Sequence, residues 1–183
     1  MLFYILLICI FFLFFTLADY HWENKWQNKI LLILPCCILF LVAIFRFDIG
    51  YDYPAYYKMA TPMYQDELER IEPLSKFLIK TAMSLDRPYL LFILFGIPTY
   101  ILAFITCYRT GKFQLAFWTY LFLFLLSTFG AIRQAAAMSI IMYAIIAMKN
   151  KRLILYLILC FIASLFHLSA LIMLPVYFIY HYV

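Results

Sequence analysis

Apolar residues run through this chain in long blocks, and the polar residues that separate the blocks are few and bunched. The first block, MLFYILLICIFFLFFTLA, covers about residues 1–18 and has no basic residue ahead of it and no small-residue cleavage pattern behind it, so it reads as a retained span rather than a removable signal. Further blocks cover about 30–45, 88–107, 113–129 and 132–148. Pro35 inside the second is tolerable because neighbouring helices can satisfy the carbonyl it frees. The last apolar stretch, 153–183, is too long for one ordinary span at 1.5 Å per residue, and His167 and Ser169 interrupt it. It is divided into a short span over 153–165 and another over 168–183. Hydrocarbon offers peptide groups no water, so each block is expected to be a helix. The expected fold is all-α: a multi-pass transmembrane bundle of about seven spans in one membrane domain.

Composition agrees with that pattern: of 183 residues, 68% are hydrophobic and 13% charged, with a mean hydropathy of +0.98, which places the chain outside soluble norms. The five cysteines, Cys9, Cys36, Cys37, Cys107 and Cys160, sit in or at spans and read as small packing residues without disulfides. Short-loop basic residues set the orientation. Lys25 and Lys29, Arg109 and Lys112, and Lys149, Lys151 and Arg152 occupy alternate connections, which places those on the cytoplasmic side and the N-terminus outside. The one long loop, 46–87, is then extracytoplasmic.

That loop opens on FRFDIGYDYPAYY, Phe45 to Tyr57, a polar knot directly after the second span. Gly50 permits positive φ and Pro54 turns Tyr53 away from helix, so the chain is expected to bend sharply here. Asp48, Gly50 and Asp52 resemble a fragment of a calcium loop, but the remaining ligands of an EF-hand are absent, and the three histidines lack zinc spacing, so no metal site is assigned. Tyr51, Tyr53, Tyr56 and Tyr57 fit an interfacial aromatic belt or a sugar-binding wall. Farther on, Pro73 begins a helical pattern in which Leu74, Phe77, Leu78, Thr81, Ala82 and Leu85 recur, while Lys76, Lys80 and Asp86 fall off the stripe. This predicts an amphipathic helix lying on the membrane or capping a cavity.

With this orientation the knot, Arg133 and His167 reach one membrane face from three separate connections. Each has an ordinary alternative: Arg133 as a snorkelling anchor, His167 as a packed or capping residue. In AIRQAAAMS, the small residues Ala131, Ala135 and Ser139 stand four apart and let a neighbouring helix approach closely.

The order FRFDIGYDYPAYY, EPLSKFL, IRQAAAMSIIMYAI, a KNKR turn and ASLFHLSALIMLPVY resembles the EpsG-like branch of the Wzy-type polysaccharide polymerases, over about Arg46 to Tyr177. The resemblance implies an inverting glycosyltransferase, without metal or other cofactor, that joins undecaprenyl-diphosphate-linked oligosaccharide repeats at the outer face of a bacterial cytoplasmic membrane in exopolysaccharide, capsule or O-antigen synthesis. Its expected partners are that lipid-linked glycan, the bilayer and other membrane proteins of polysaccharide assembly, with no nucleic acid. Arginines suit a diphosphate leaving group, which makes Arg46 and Arg133 candidates. A carboxylate or imidazole must take the acceptor proton, and His167, Asp48 and Asp52 are the candidates. Gly50, Tyr53 and Tyr56 are candidate walls of the substrate site, Glu72 a candidate holder of sugar hydroxyls or of the amphipathic helix, and Gln134 a candidate support for Arg133. The family continues with further spans beyond the F-H-x-S-A motif, so this chain is expected to be the front part of a longer fold or a truncated product. A lipid-linked glycan flippase or transporter, a glycan ligase and a non-catalytic membrane subunit are the alternatives.

Overall fold

The computed structural model describes residues 2–20 and 25–182, with the side chains of Lys25, Trp26 and Asn28 left aside. Met1, Val183 and the Lys25 side chain, which entered the span and orientation readings, therefore lie outside the described residues. Among the described residues nine α-helices follow one another: α1 (Leu2–Tyr20), α2 (Lys25–Ile44), α3 (Tyr53–Met59), α4 (Pro73–Ser84), α5 (Leu90–Arg109), α6 (Phe113–Phe129), α7 (Ile132–Lys149), α8 (Leu153–Phe166) and α9 (Val176–Tyr182). Two 3₁₀ segments, Pro62–Arg70 and Leu168–Met173, complete the described elements, and there is no strand among them. The protein is an all-helical membrane protein. Helices α1, α5 and α7 are long and apolar enough to cross a bilayer, and Lys29–Ile44, Phe113–Phe129, Leu153–Phe166 and Leu168–Tyr182 are shorter apolar segments.

The chain divides into two compact units. The first, up to Val42, holds α1 and most of α2; in α1 the buried residues Leu7, Phe11, Phe15 and Ala18 recur every three to four positions, as one face of a helix must. The second unit runs from Ala43. At its centre α7 packs most extensively, against α5 and α8. Ala135, Ala136, Ala137 and Ser139 are all buried there, and side chains this small let helix backbones come close without a hydrophobic driving force between them. The five cysteines are free thiols.

The loop is more structured than its sequence suggests, since α3 and a 3₁₀ segment precede α4. Helix α4 is amphipathic: of the stripe read from hydrophobicity Ala82 is buried and Leu74 and Leu78 pack partly buried against the core, while Phe77 and Leu85 are exposed and Ser75 and Ile79 join the buried line. The physical reason is a polar contact: the buried Ser75 hydroxyl donates to the Phe166 carbonyl at the end of α8 (2.8 Å), and this turns the small-residue face inward.

Residues 168–182 form no continuous α-helix, because Pro175 has no N–H for the Leu171 carbonyl. That carbonyl instead accepts from Leu174 (3.0 Å), and the Met173 carbonyl accepts from the Tyr156 hydroxyl. Irregular backbone in apolar surroundings is tolerable where protein groups supply the missing partners, as Tyr156 does. Beyond the break, α9 reaches the far end of α7, where a His181 ring nitrogen meets the Met148 carbonyl (2.9 Å).

The knot after α2 folds onto the end of α6. Arg46 is 6% exposed, and its guanidinium donates to the carbonyls of Thr128 (3.3 Å) and Phe129 (3.0 Å), the last two residues of that helix. It thereby satisfies orphan carbonyls at the negative end of the helix dipole. Its charge also lies over the rings of Phe92 (4.6 Å) and Phe129 (5.2 Å). Gly50 has φ +111°, and a Cβ there would stand 2.0 Å from the Phe129 carbonyl oxygen. Only glycine fits both the dihedral and the space. Gly50→Ala is expected to destabilise the fold by about 1–3 kcal/mol, read as a lower unfolding midpoint in detergent; an unchanged midpoint would show that Gly50 does not sit against Phe129.

Candidate functional site

A second polar centre forms where α4, α7 and α8 begin or end. Glu72 directly precedes α4, Arg133 is the second residue of α7, and His167 follows α8. The Glu72 carboxylate joins the other two: Arg133 donates to Oε2 at 2.7 Å, and His167 Nδ1 lies 3.1 Å from Oε1. The Leu168 backbone N–H also donates to Oε1 (3.2 Å). The side chains of Arg133, Glu72 and His167 are 22%, 15% and 31% exposed, so the group is screened from solvent yet open to an approaching molecule.

These contacts determine the state of each group. Burial works to raise the Glu72 pKa, but hydrogen bonds from its own N–H and that of Leu168, with the charges of Arg133 and His167, outweigh it and hold the carboxyl below its ordinary value. An ionised carboxylate can only accept hydrogen bonds. His167 must therefore carry its proton on Nδ1, which in the neutral ring leaves the Nε2 lone pair free to take a proton. Arg133 Nε is buried and has no hydrogen-bond partner among the described residues, so the guanidinium keeps a donor unspent. The Ser75–Phe166 bond secures the residue just before His167.

The other residues read from the sequence divide between this centre and its surroundings. Asp48 is exposed with φ +51°, and Asp52 is half-buried just ahead of α3. Tyr53 and Tyr56 are core residues at 6% and 7% exposure, and Tyr53 stacks on Phe92 at 4.6 Å. Burial pushes the Tyr53 phenol up from its ordinary value. These two rings pack the fold rather than present a sugar-facing wall. Arg46 and Gly50 belong with the end of α6, as described above. Gln134, next in sequence to Arg133, lines a different feature, an apolar groove of about 310 Å³ with Ala137, Met138, Ile141 and Ile172 in its walls.

A feature unremarked in the sequence adjoins Arg133. A cleft of about 570 Å³ is lined by Tyr64, Asp66, Glu67 and Arg70 from the first 3₁₀ segment, by Arg133 from α7, and by Met59 and Ile71 as apolar neighbours. The available signal was the three-residue spacing of Tyr64, Glu67 and Arg70 between Pro62 and Pro73, which a 3₁₀ helix turns into a single line of side chains.

The EpsG family model matches residues 29–183, most of the chain and all of the second unit. The chain belongs to the EpsG family. No curated protein and no solved structure matches it. Membership in the EpsG family points to a polysaccharide polymerase-type membrane protein, and the matched region holds Glu72, Arg133 and His167 together. In this EpsG-family chain the pH response of the site follows from Glu72. Its folded pKa lies below the ordinary carboxyl value of 4.5, so its stabilisation is complete above about pH 4.5 and is lost as pH falls through the lower folded value. The unfolding midpoint of the native protein in detergent is expected to drop on acidification below that range, and Glu72→Gln is expected to remove part of the dependence. An identical acid profile in Glu72→Gln would contradict the assignment.

Proposed function

We propose that this chain is a polysaccharide polymerase that transfers a growing glycan from its undecaprenyl diphosphate carrier to the next lipid-linked repeat, at the outer face of a bacterial cytoplasmic membrane. The observation that carries this reading is the Glu72 carboxylate holding Arg133 and His167 together. Inverting glycosyl transfer needs three things at once: an acceptor oxygen approaching the anomeric carbon, a group to take its proton, and relief of the charge that grows on the departing diphosphate. His167 Nε2 takes the hydroxyl proton while the new C–O bond forms and the bond to the diphosphate oxygen breaks. Glu72 is a positioning residue, since it fixes the His167 tautomer and ring orientation. Arg133, tied to Glu72 through Nη1, offers the diphosphate its remaining guanidinium donors other than the buried Nε.

The charge balance suits this sequence of events. Arg133 and Glu72 cancel, so the group carries no net charge when the His167 ring is in the neutral form that can accept a proton. When His167 accepts the proton, the group becomes net positive as the leaving group gains negative charge, so stabilisation is greatest at the transition state and small for the bound substrate. Asp48 and Asp52 make no contact with Glu72 among its hydrogen bonds, and the base is assigned to His167 in preference to them. Arg46 serves the reaction indirectly: by clamping the end of α6 it positions the turn that leads into Arg133.

His167→Ala is expected to lower polymerisation by about 10²–10⁴-fold, the size of a general acid–base effect, and Arg133→Ala by about 10²–10³-fold, the size of a lost electrostatic donor to the leaving group, each beyond any fall in protein level. Complementation of a polymerase-deficient strain, with product length read on a gel and protein level by blot, checks this. Normal long chains in either variant would overturn the role given to that residue, and native protein that fails to restore long chains would overturn the polymerase reading.

A further inference from the structure

The cleft beside Arg133 has the makings of a separate recognition site, and its construction follows from the 3₁₀ segment Pro62–Arg70. With about three residues per turn, Tyr64, Glu67 and Arg70 stand in one line along the segment, and Asp66 lies next to that line. Leu68 is fully buried and pins the opposite side of the segment into the core. Glu69 points elsewhere, to a salt bridge with Lys76 in α4 (2.7 Å). The polar line is therefore held against the cleft by contacts that do not use its own side chains. A volume of about 570 Å³ falls in the range of small-molecule sites.

The lining specifies the chemistry of the occupant. Asp66 and Glu67 bring two negative charges, and Arg70 and Arg133 two positive ones, of which that of Arg133 is already opposed by Glu72. A cleft with no surplus of positive charge is a poor seat for a diphosphate. It is a good one for a neutral polyhydroxyl ring, whose hydroxyls donate to carboxylates and accept from guanidinium groups while a C–H face lies on an aromatic ring such as Tyr64. We infer that this cleft is a saccharide subsite that holds the acceptor sugar, with Tyr64, Asp66, Glu67 and Arg70 as specificity-determining residues. The inference rests on the polymerase reading above. Arg133 lines the cleft and also contacts Glu72, so a sugar in the cleft would present a hydroxyl beside the His167 centre.

The test uses the native protein in lipid nanodiscs and two probes: the repeat oligosaccharide released by mild acid from the lipid carrier of the producing strain, and inorganic pyrophosphate. Binding is followed by saturation-transfer NMR and titration. Glu67→Gln is expected to weaken the oligosaccharide by about tenfold or more, the value of one hydrogen bond to a charged group, and Tyr64→Ala by about threefold to tenfold through the lost aromatic face, with pyrophosphate binding unchanged. His167→Ala is expected to bind the oligosaccharide like wild type while failing to polymerise. Because Tyr64, Asp66, Glu67 and Arg70 are not core residues, an unchanged unfolding midpoint separates lost binding from lost fold. Wild-type oligosaccharide affinity in Glu67→Gln and Tyr64→Ala, or loss of pyrophosphate binding in their place, would overturn the subsite. A His167→Ala protein that still polymerises would overturn the base role of His167, and native protein that fails to restore polymer to a polymerase-deficient strain would overturn the polymerase reading; loss of oligosaccharide binding in Glu67→Gln and Tyr64→Ala is read separately from both.

Discussion

The Glu72 carboxylate is the contact on which the polar end of the second unit depends. Its two oxygens meet Arg133, His167 and the Leu168 N–H, groups 61, 95 and 96 residues away along the chain. Each of those groups would be costly if left alone in apolar surroundings: an arginine at the positive end of α7, an imidazole at the end of α8, and a backbone donor at the start of a 3₁₀ turn. One carboxylate resolves all three, at a point where α4 is itself drawn inward by Ser75. Pairing of this kind carries a desolvation penalty, and it is retained most readily where the geometry also serves a purpose. Here the same geometry sets a histidine tautomer and leaves arginine donors available, which is what proton transfer beside a leaving anion requires.

Arg46 and Gly50 do for α6 what Glu72 does for α7 and α8. A buried guanidinium closes the last carbonyls of α6, and a glycine without Cβ lets the chain pass against the Phe129 carbonyl. The knot that interrupts the apolar sequence is thus a helix-terminating clamp. It fixes the short turn from Phe129 to Ile132, and with it the position from which Arg133 departs.

Much of the architecture was legible from the sequence because the bilayer imposes a coarse code: long apolar runs separated by polar turns give helices, and α6 runs over the same residues, 113–129, that its apolar block marks out. What the code conveys poorly is rotation and partnership. The stripe read on α4 from hydrophobicity caught Leu74, Leu78 and Ala82 but left out Ser75, a polar residue that faces inward to a carbonyl. Tyr53 and Tyr56 look the same in sequence whether they wet a belt or fill a core. Arg46 beside an apolar span reads equally as an anion clamp and as a cap for carbonyls 82 and 83 residues away. The convergence of Arg133 and His167 could be read from topology, but the central role of Glu72 could not, since no local pattern marks a carboxylate whose partners are all distant. The cleft residues were hidden by 3₁₀ spacing inside a segment that reads as a plain charge run, QDELER. Pro175 was visible, but the tyrosine that makes its break tolerable was not.

The central claim is that Glu72 and Arg133 stabilise the fold as a pair. The most direct measurement is a double-mutant cycle on the native protein in a single detergent, comparing the unfolding free energies of wild type, Glu72→Gln, Arg133→Gln and the double variant. The account predicts a coupling of about 1–3 kcal/mol, as for a hydrogen bond between charged groups in a screened site, with the double variant less damaged than the two single losses added. Additivity to within about 0.5 kcal/mol would contradict it.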